Sequence, residues 1–258
     1  MRWPHRYLLA SFTRREVLNR YAGSAAGALW ALAHPLALLG VYAFVFTAVF
    51  RVKLPPEFGA VGYTAFVAAT LWPWLMFSEA LEKGMAAVQD NAGLIRKVAF
   101  PHELVVFAAV LATFLVHGAG FLVVLCVLAA IGEPIRLAGL PWAFLLLVML
   151  AVLTTGIAAA LATVQTLLPD TKQVIGVLLA LLFYATPILY PRTLVPESLR
   201  PAIDWNPLAW VAERFREVLF TGTGPTITDG AIALAAALAL VLGLALFRRV
   251  SPHFEDFL

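Results

Sequence analysis

The sequence predicts an all-α, polytopic membrane protein. Hydrophobic residues fill 62% of its 258 positions and charged residues only 13%, whereas a soluble domain has about 45–50% apolar and about 25% charged residues. The apolar residues form long uncharged runs, and a soluble core of this size cannot cover that much apolar surface. Because backbone groups in lipid must be satisfied within their own segment, runs of helical length predict helices.

Six uncharged runs are long enough to cross a membrane, since about 20 helical residues span its hydrocarbon core. They are residues 22–50, 58–78, 104–132, 137–169, 173–191 and 230–247. Six spans place both termini on one side. That side holds eleven of the 18 Lys and Arg residues, so the positive-inside rule predicts cytoplasmic termini. We expect a single transmembrane domain, residues 1–258, in the cytoplasmic (inner) membrane.

Residues 1–22 predict a helix that lies in the cytoplasmic interface. Aromatic and apolar side chains share one helical face, and Pro4 suits a helix start; that face holds Trp3, Tyr7, Ala10, Val17, Leu18 and Tyr21. Aromatic residues combined with arginines are typical of interfacial helices. A solvated extension is the alternative. Charges at residues 14–16 interrupt the apolar core that a signal peptide needs, so we expect the segment to be retained.

Catalytic and nucleotide-binding motifs are absent from the sequence. It contains no GxxxxGK[ST] phosphate loop and no HExxH motif. The single cysteine, Cys126, excludes an intrachain disulfide and a cysteine metal cluster. The ionisable residues inside or at the ends of the runs are Glu79, Glu82 and His117, which are the candidates for chemistry in lipid. We expect no catalytic residue, no metal site and no cofactor on this chain, so ATP and Mg²⁺ require a separate polypeptide.

Trp72 and Trp74 fall about halfway through the second run, although tryptophan usually prefers the membrane interface. One interpretation is a packed core. The other is a route for sugar rings, whose apolar C–H faces stack on flat aromatic side chains. Phe77, Tyr42 and Phe46 extend that surface in the second interpretation.

The stretch between the second and third runs, EKGMAAVQDNAGLIRKVAFPHE, mixes charges with apolar residues. Its apolar side chains are Leu94, Ile95, Val98 and Phe100. The pattern predicts an amphipathic cytoplasmic helix that docks a soluble partner, with an interfacial connector as the alternative.

The segment of residues 191–222 is predicted to form a pair of short helices that dip into the outer leaflet. Apolar residues recur at helical spacing, namely Leu208, Val211, Phe215 and Leu219. Prolines and charges prevent the segment from spanning the lipid.

Several of these segments, in this order, resemble the permease subunits of ABC-type polysaccharide exporters. The match is to the branch that exports lipopolysaccharide O-antigen, capsule or teichoic acid. The matching segments are RREVLNRYAGSAAGALWALAHP, LWPWLMF, NAGLIRKVAFP, LPDTKQ, TPILYP and NPLAW. Pro169 departs from the pattern, because many relatives have an arginine there, which leaves the role of that loop open.

The resemblance implies a homodimeric half-transporter that binds two copies of a cytoplasmic ABC ATPase. Its cargo is expected to be a polysaccharide on a polyprenyl-diphosphate lipid, with no nucleic acid partner. Residues 90–102 correspond to the region that couples to the ATPase, through Asn91, Leu94, Ile95, Arg96, Lys97 and Pro101. Residues 191–222 correspond to an outer gate, with Pro191, Asn206, Pro207 and Trp210.

The lipid diphosphate requires positive charge at the cytoplasmic interface, for which Arg14, Arg15 and Arg20 are candidates, with Arg96 and Lys97 beside them. The same arginines are equally explained by the positive-inside bias.

Three rival functions remain open. They are export of a drug or small lipid by a related ABC permease, intramembrane catalysis by Glu79, Glu82 or His117, and a scaffold that transports nothing.

Overall fold

The computed structural model describes residues 3–20 and 27–257, and all regular structure in those ranges is helical. A π-helical turn, Val45–Val49, continues α2, and short 3-10 turns occupy Pro56–Phe58, Leu137–Gly139, Arg192–Leu194 and Ser251–Asp256. The α-helices are α1 (Trp3–Asn19), α2 (Gly27–Phe44), α3 (Tyr63–Asp90), α4 (Ala92–Ile95), α5 (Glu103–Ala130), α6 (Leu140–Leu167), α7 (Thr171–Ala185), α8 (Arg200–Asp204), α9 (Pro207–Phe220) and α10 (Ile227–Val250).

Within the described ranges, three helices are long and apolar enough to cross a membrane: Glu103–Ala130, Leu137–Leu167 and Ile227–Phe254. Ala33–Val49 and Thr171–Ala185 are shorter apolar helices. Each of the six predicted runs overlaps one long helix of the described ranges, namely α2, α3, α5, α6, α7 or α10, although the first run begins in residues outside those ranges. The prediction of an all-helical, apolar chain is therefore confirmed.

The helices form a bundle with two distinct ends. At one end the last residues of α3 and α6 meet, where the Gln165 side-chain amide donates to Gln89 Oε1 at 2.8 Å. Arg248 at the end of α10 pairs with Glu103 at the start of α5 there, at 3.2 Å. We call this the α1 end, because α1 packs along α5 beside it.

The opposite end contains α8, α9 and the loops that precede α3 and α6. The Gly62 amide donates to Glu133 Oε2 at 2.9 Å, and the Tyr63 hydroxyl donates to the Leu189 carbonyl at 2.6 Å. The Arg136 amide donates to the Leu219 carbonyl at the end of α9, at 2.7 Å. We call this the α9 end.

The tightest helix contact joins α6 and α10 through two glycines. A methyl group at Gly243 would lie 1.9 Å from the carbonyl oxygen of Gly156. A methyl group at Gly156 would lie 2.3 Å from the backbone of Ala239. Small residues allow helix backbones to approach this closely in membranes, where close packing replaces the hydrophobic effect.

Helix α3 continues beyond its predicted end at residue 78 to Asp90. The stretch for which an amphipathic cytoplasmic helix is predicted, residues 82–103, contains the last turns of α3 and the four-residue α4, Ala92–Ile95. The reason that α3 continues is packing, since Gly84 lets α3 approach Ala158 on α6 and Val110 on α5. Those contacts keep the charged turns of α3 helical where hydropathy alone ends the run.

Helix α1 is present, but it does not use its predicted apolar face for packing. Tyr7 and Leu18 are exposed, whereas Thr13 is buried and Phe12 packs against the bundle. The side chain of Trp3 and all of Tyr21 lie outside the described residues. The exposed apolar side chains are those available to an interface with lipid.

Candidate functional site: the two ends of the bundle and the aromatic cluster between them

Helix α1 is fixed to the corner between α3 and α4. Phe12 contacts Phe100 edge-on, with ring centroids 5.5 Å apart, and the Arg15 guanidinium lies 5.2 Å from the Phe12 ring centroid. Arg15 also donates to Asn91 Oδ1, while Asn91 Nδ2 donates to the Ala87 carbonyl at 2.8 Å. The predicted coupling region and the N-terminal helix therefore form one connected surface.

The predicted ATPase-coupling residues differ in exposure. Ile95 is 1% exposed and belongs to the core, so it cannot form a surface contact in this conformation. Leu94 and Pro101 are half-buried, whereas Arg96, Lys97 and Val98 are exposed. The surface available to a soluble partner is therefore mainly cationic, with Leu94 and Val98 as its apolar residues.

Three residues predicted for different reasons meet inside the bundle, near the α1 end. Glu79 on α3 pairs with Arg20 at 2.5 Å and with His117 Nε2 at 2.7 Å. His117 is 5% exposed, and Arg20 Nη2 lies 3.2 Å from the same Nε2. Because Glu79 faces cationic and imidazole partners, its charge is compensated, and the cluster ties the end of α1 to α3 and α5.

Two of the three arginines predicted to bind the lipid diphosphate already pair with side chains of this chain. Arg15 bonds Asn91 and Glu16, and Arg20 pairs with Glu79. Arg14 is exposed. Of the three, Arg14 is therefore the residue whose charge faces outward.

Trp72 is 0% exposed and packs between α3 and α5, where its Nε1 donates to the His117 carbonyl at 3.0 Å. Phe77 is buried as well. Both side chains pack inside this protomer, and Phe77 also lines a small cavity together with Trp74 and Leu150. The route for sugar rings stays a prediction.

Trp74 belongs to an aromatic cluster that spans three helices. Its ring centroid lies 5.8 Å from Phe77 and 5.6 Å from Phe183 on α7, and Phe183 stacks on Tyr42 of α2 at 6.0 Å. Tyr184, beside Phe183, is exposed. Phe183 is not among the predicted residues, because its apolar run contains no feature that distinguishes it.

Phe46 lies apart from that cluster, toward the α9 end. It stacks on Tyr63 with ring centroids 5.6 Å apart and contacts Phe50 at 5.5 Å. The predicted path residues thus divide into two groups, with Tyr42 and Trp74 in one and Phe46 in the other.

The predicted gate residues lie together at the α9 end. Asn206 caps α9, because its Oδ1 accepts from the Leu208 amide at 3.0 Å, and Pro207 occupies the first turn, as is common at helix starts. Asn206 Nδ2 also donates to Thr186 at 2.9 Å, which joins α9 to the segment after α7. Trp210 Nε1 donates to the Asp204 carbonyl at 2.8 Å.

Two buried arginines hold α9 in place. Arg214 bonds both oxygens of Asp229 on α10, at 2.8 and 2.9 Å, and also pairs with Glu217. Arg216 is 2% exposed; it donates to the Ile188 carbonyl at 2.8 Å, and its guanidinium lies 3.6 Å from the Phe66 ring centroid. Burial lowers the pKa of Arg216 to about 9, so the group is charged at neutral pH.

Two cavities open beside α9. The larger, about 570 Å³, is lined by Pro191, Arg192, Glu213 and Arg216, among others. The smaller, about 410 Å³, is lined by Trp210, Asp204 and Arg214, and also by Arg192 and Glu213. Sequence analysis found Pro191 and Trp210 but missed Glu213 and Arg216, whose charges appeared only as a reason against spanning.

Within the described ranges, no group of three His, Cys, Asp or Glu side chains is arranged to hold a metal ion. The sites therefore consist of an exposed cationic surface, an aromatic cluster and mixed-charge cavities. These arrangements are suited to binding a partner or a ligand.

Comparison with known proteins gives one family and several relatives. A chain of Klebsiella pneumoniae named O-antigen export system permease protein RfbA is 28% identical over 255 residues, covering 97% of this chain and 95% of the relative. The RfbA protein of Myxococcus xanthus is 28% identical, covering 94% and 91%. The polysialic acid transport protein KpsM of Escherichia coli is 26% identical, covering 91% and 90%. The profile of the family described as "ABC-2 type transporter" matches residues 7–220, and the chain therefore belongs to the ABC-2 type membrane transporter family.

Proposed function

We propose that this chain is the membrane permease subunit of an ATP-driven exporter that moves a polysaccharide across the cytoplasmic membrane. The observation that carries the proposal is likeness over nearly the whole chain to permeases named for O-antigen export and to one named for polysialic acid transport. The finer proposal is that the cargo is an O-antigen-type glycan on a polyprenyl-diphosphate lipid. ATP hydrolysis belongs to a separate subunit.

The exposed cationic surface at the α1 end supports partner docking. Arg96, Lys97 and Val98 are available to a soluble ATPase, and α1 is joined to the same corner through Arg15 and Phe12. A movement imposed there reaches α3 and α5 through Arg20 and Glu79. The proposed topology has six spans, with this end and both termini in the cytoplasm and the α9 end outside.

The aromatic cluster supports a glycan cargo. Tyr42, Phe183 and Tyr184 present partly or fully exposed rings on α2 and α7, and stacking on such rings tolerates a sliding sugar chain. In the homodimer that we propose, these helices border a conduit between the two copies. Arg14, exposed at the α1 end, is the candidate for the lipid diphosphate.

Deletion of the gene, followed by separate assays of surface polysaccharide and of lipid-linked glycan on the inner leaflet, tests this function. Export predicts loss of polysaccharide outside and accumulation of lipid-linked glycan inside. Loss in both places would indicate synthesis and contradict the proposal. Unchanged glycan, together with ATPase activity that hydrophobic drugs stimulate in the purified complex, would indicate the alternative of a small-lipid or drug exporter.

A further inference from the structure

The two cavities at the α9 end share one wall, formed by Arg192, Glu213 and Glu217. Their volumes, about 570 and 410 Å³, lie within the range of roughly 300–1,000 Å³ that is typical of small-molecule sites. Exposed residues line both cavities, among them Arg192 and Glu217, so each cavity reaches the surface of the protein.

Glu213 faces these cavities while the arginines around it are paired elsewhere. Arg192 pairs with Asp204 at 2.5 Å, Arg200 with Glu197 at 3.5 Å, and Arg214 with Asp229. Glu213 itself forms no ion pair with any residue that the structure describes. Burial raises the pKa of Glu213, which reflects the cost of keeping this carboxylate away from water.

Arg216 brings a buried positive charge to the larger cavity, one helical turn from Glu213. Its described partners are neutral: the carbonyls of Phe66 and Ile188, the Thr70 hydroxyl and the Phe66 ring. The buried charge of Arg216 is attracted to the Glu213 carboxylate, although no ion pair within the described residues joins the two side chains. The wall therefore presents both charges, and neither is neutralised by a described ion pair.

The combination of charges selects the class of ligand. Both cavities are lined by arginines and carboxylates together, so an anion and a cation each meet attraction and repulsion. The arginines are Arg192, Arg200, Arg214 and Arg216, and the carboxylates are Asp204, Glu213 and Glu217. A hydroxyl group donates and accepts, so vicinal hydroxyls satisfy a carboxylate and a guanidinium together. Trp210 adds a flat apolar face to the wall of the smaller cavity, which suits the C–H face of a sugar ring.

From this geometry we infer that the two cavities bind neutral sugar residues of the exported chain, with Glu213 accepting hydrogen bonds from sugar hydroxyls and Arg216 donating to them. The inference rests on the proposed function and adds to it a site and a charge class. It places a binding step within the protomer at the α9 end, separate from the aromatic cluster.

A photo-cross-linking experiment in cells that make the native glycan tests this site in the complete exporter. The photoreactive residue p-benzoylphenylalanine replaces Thr193, which lines the larger cavity and is exposed, or Thr221 as a second position. The control position is Ile131, exposed at the same end but outside both cavities. We expect glycan-bearing permease bands from Thr193 or Thr221 and none above background from Ile131. Equal labelling at the three positions would overturn the site.

The substitution Glu213→Gln then tests the charge class. It keeps the shape of the side chain and removes its charge, so a neutral sugar loses a charge-assisted hydrogen bond and labelling falls about three- to tenfold. With an acidic ligand, labelling rises because a repelling charge is gone, and a rise or no change overturns the inference. Glu82→Gln, an exposed carboxylate at the α1 end and outside both cavities, is the matched control.

Surface glycan measured in the dark separates this inference from the proposed function. If export proceeds and neither cavity position is labelled, the site is wrong and the exporter stands. If deletion of the gene leaves surface glycan unchanged, the proposed function itself fails.

Discussion

Glu79 holds the side chains of Arg20 and His117 together inside the bundle, so replacing it has a defined cost. Glu79→Gln removes the charge that both partners face, at 2.5 and 2.7 Å. We expect a loss of about 1.5–3 kcal/mol, the usual contribution of hydrogen bonds to charged groups. The measurement is the melting temperature of the purified permease in detergent, which should fall by several degrees.

The control for that change is Glu82→Gln, three residues further along α3. Glu82 is exposed, so its substitution should leave the melting temperature unchanged. Equal losses from the two substitutions would mean that the Glu79 cluster does not stabilise the bundle.

Substitutions at Ile95 and Lys97, both in the predicted coupling region, should have different effects. Lys97→Asp reverses an exposed charge, so we expect the ATPase subunit to co-purify less while the permease stays folded. Ile95→Asp buries a carboxylate in the core, so we expect loss of folded permease. Pull-down with the ATPase and size-exclusion chromatography distinguish the outcomes. Wild-type binding by Lys97→Asp would remove this surface from the coupling site.

For single residues, the sequence identifies the important side chains better than it identifies the side chains that they contact. Glu79, His117 and Arg20 each stand out as ionisable side chains in or near apolar runs. Their meeting depends on how α1 packs against α5, which no local pattern encodes. For Trp72 the sequence does not even determine the kind of environment. A tryptophan at mid-membrane is equally expected in a packed core and along a conduit, and only the packing of the helices distinguishes the two.

The contact between α6 and α10 leaves no space for a side chain at Gly243. Gly243→Ala places a methyl group 1.9 Å from the Gly156 carbonyl oxygen, so the helices must separate. We expect destabilisation of about 1–3 kcal/mol or more, as for overpacked cores, measured as a lower melting temperature. Gly176→Ala on α7 is the control, because a methyl group there meets no atom within 4 Å. A similar melting temperature for both variants would contradict this account of the contact.

The sequence predicts the helices well and their ends less well. Hydropathy finds α5, α6 and α10 because lipid requires an uncharged run of a certain length. It misplaces the end of α3, since the last turns of that helix are held by contacts with α5 and α6. Asn206 and Pro207 form the start of α9, a local capping signal that the sequence contains but that the predictions above used only to assign a gate.

The exposed side of α7 carries apolar side chains that nothing in the described part of the protomer covers. Leu179 is its one buried residue in the described chain, and Leu181, Val177 and Tyr184 are exposed. If two copies border a conduit at the aromatic cluster, α7 lies near its counterpart. With Cys126 replaced by serine, we expect oxidative cross-linking of Leu181→Cys between copies and none of Val241→Cys, an exposed position on α10. Cross-linking of both or neither would argue against this arrangement.

The pairing of α6 with α10 also determines when the bundle can be completed during translation. Because α6 is translated before α10, the surface of α6 around Gly156 stays uncovered until α10 is made and packs against it. A chain truncated before residue 227 would thus lack the helix that covers Gly156 on α6, and we expect it not to form a smaller working permease.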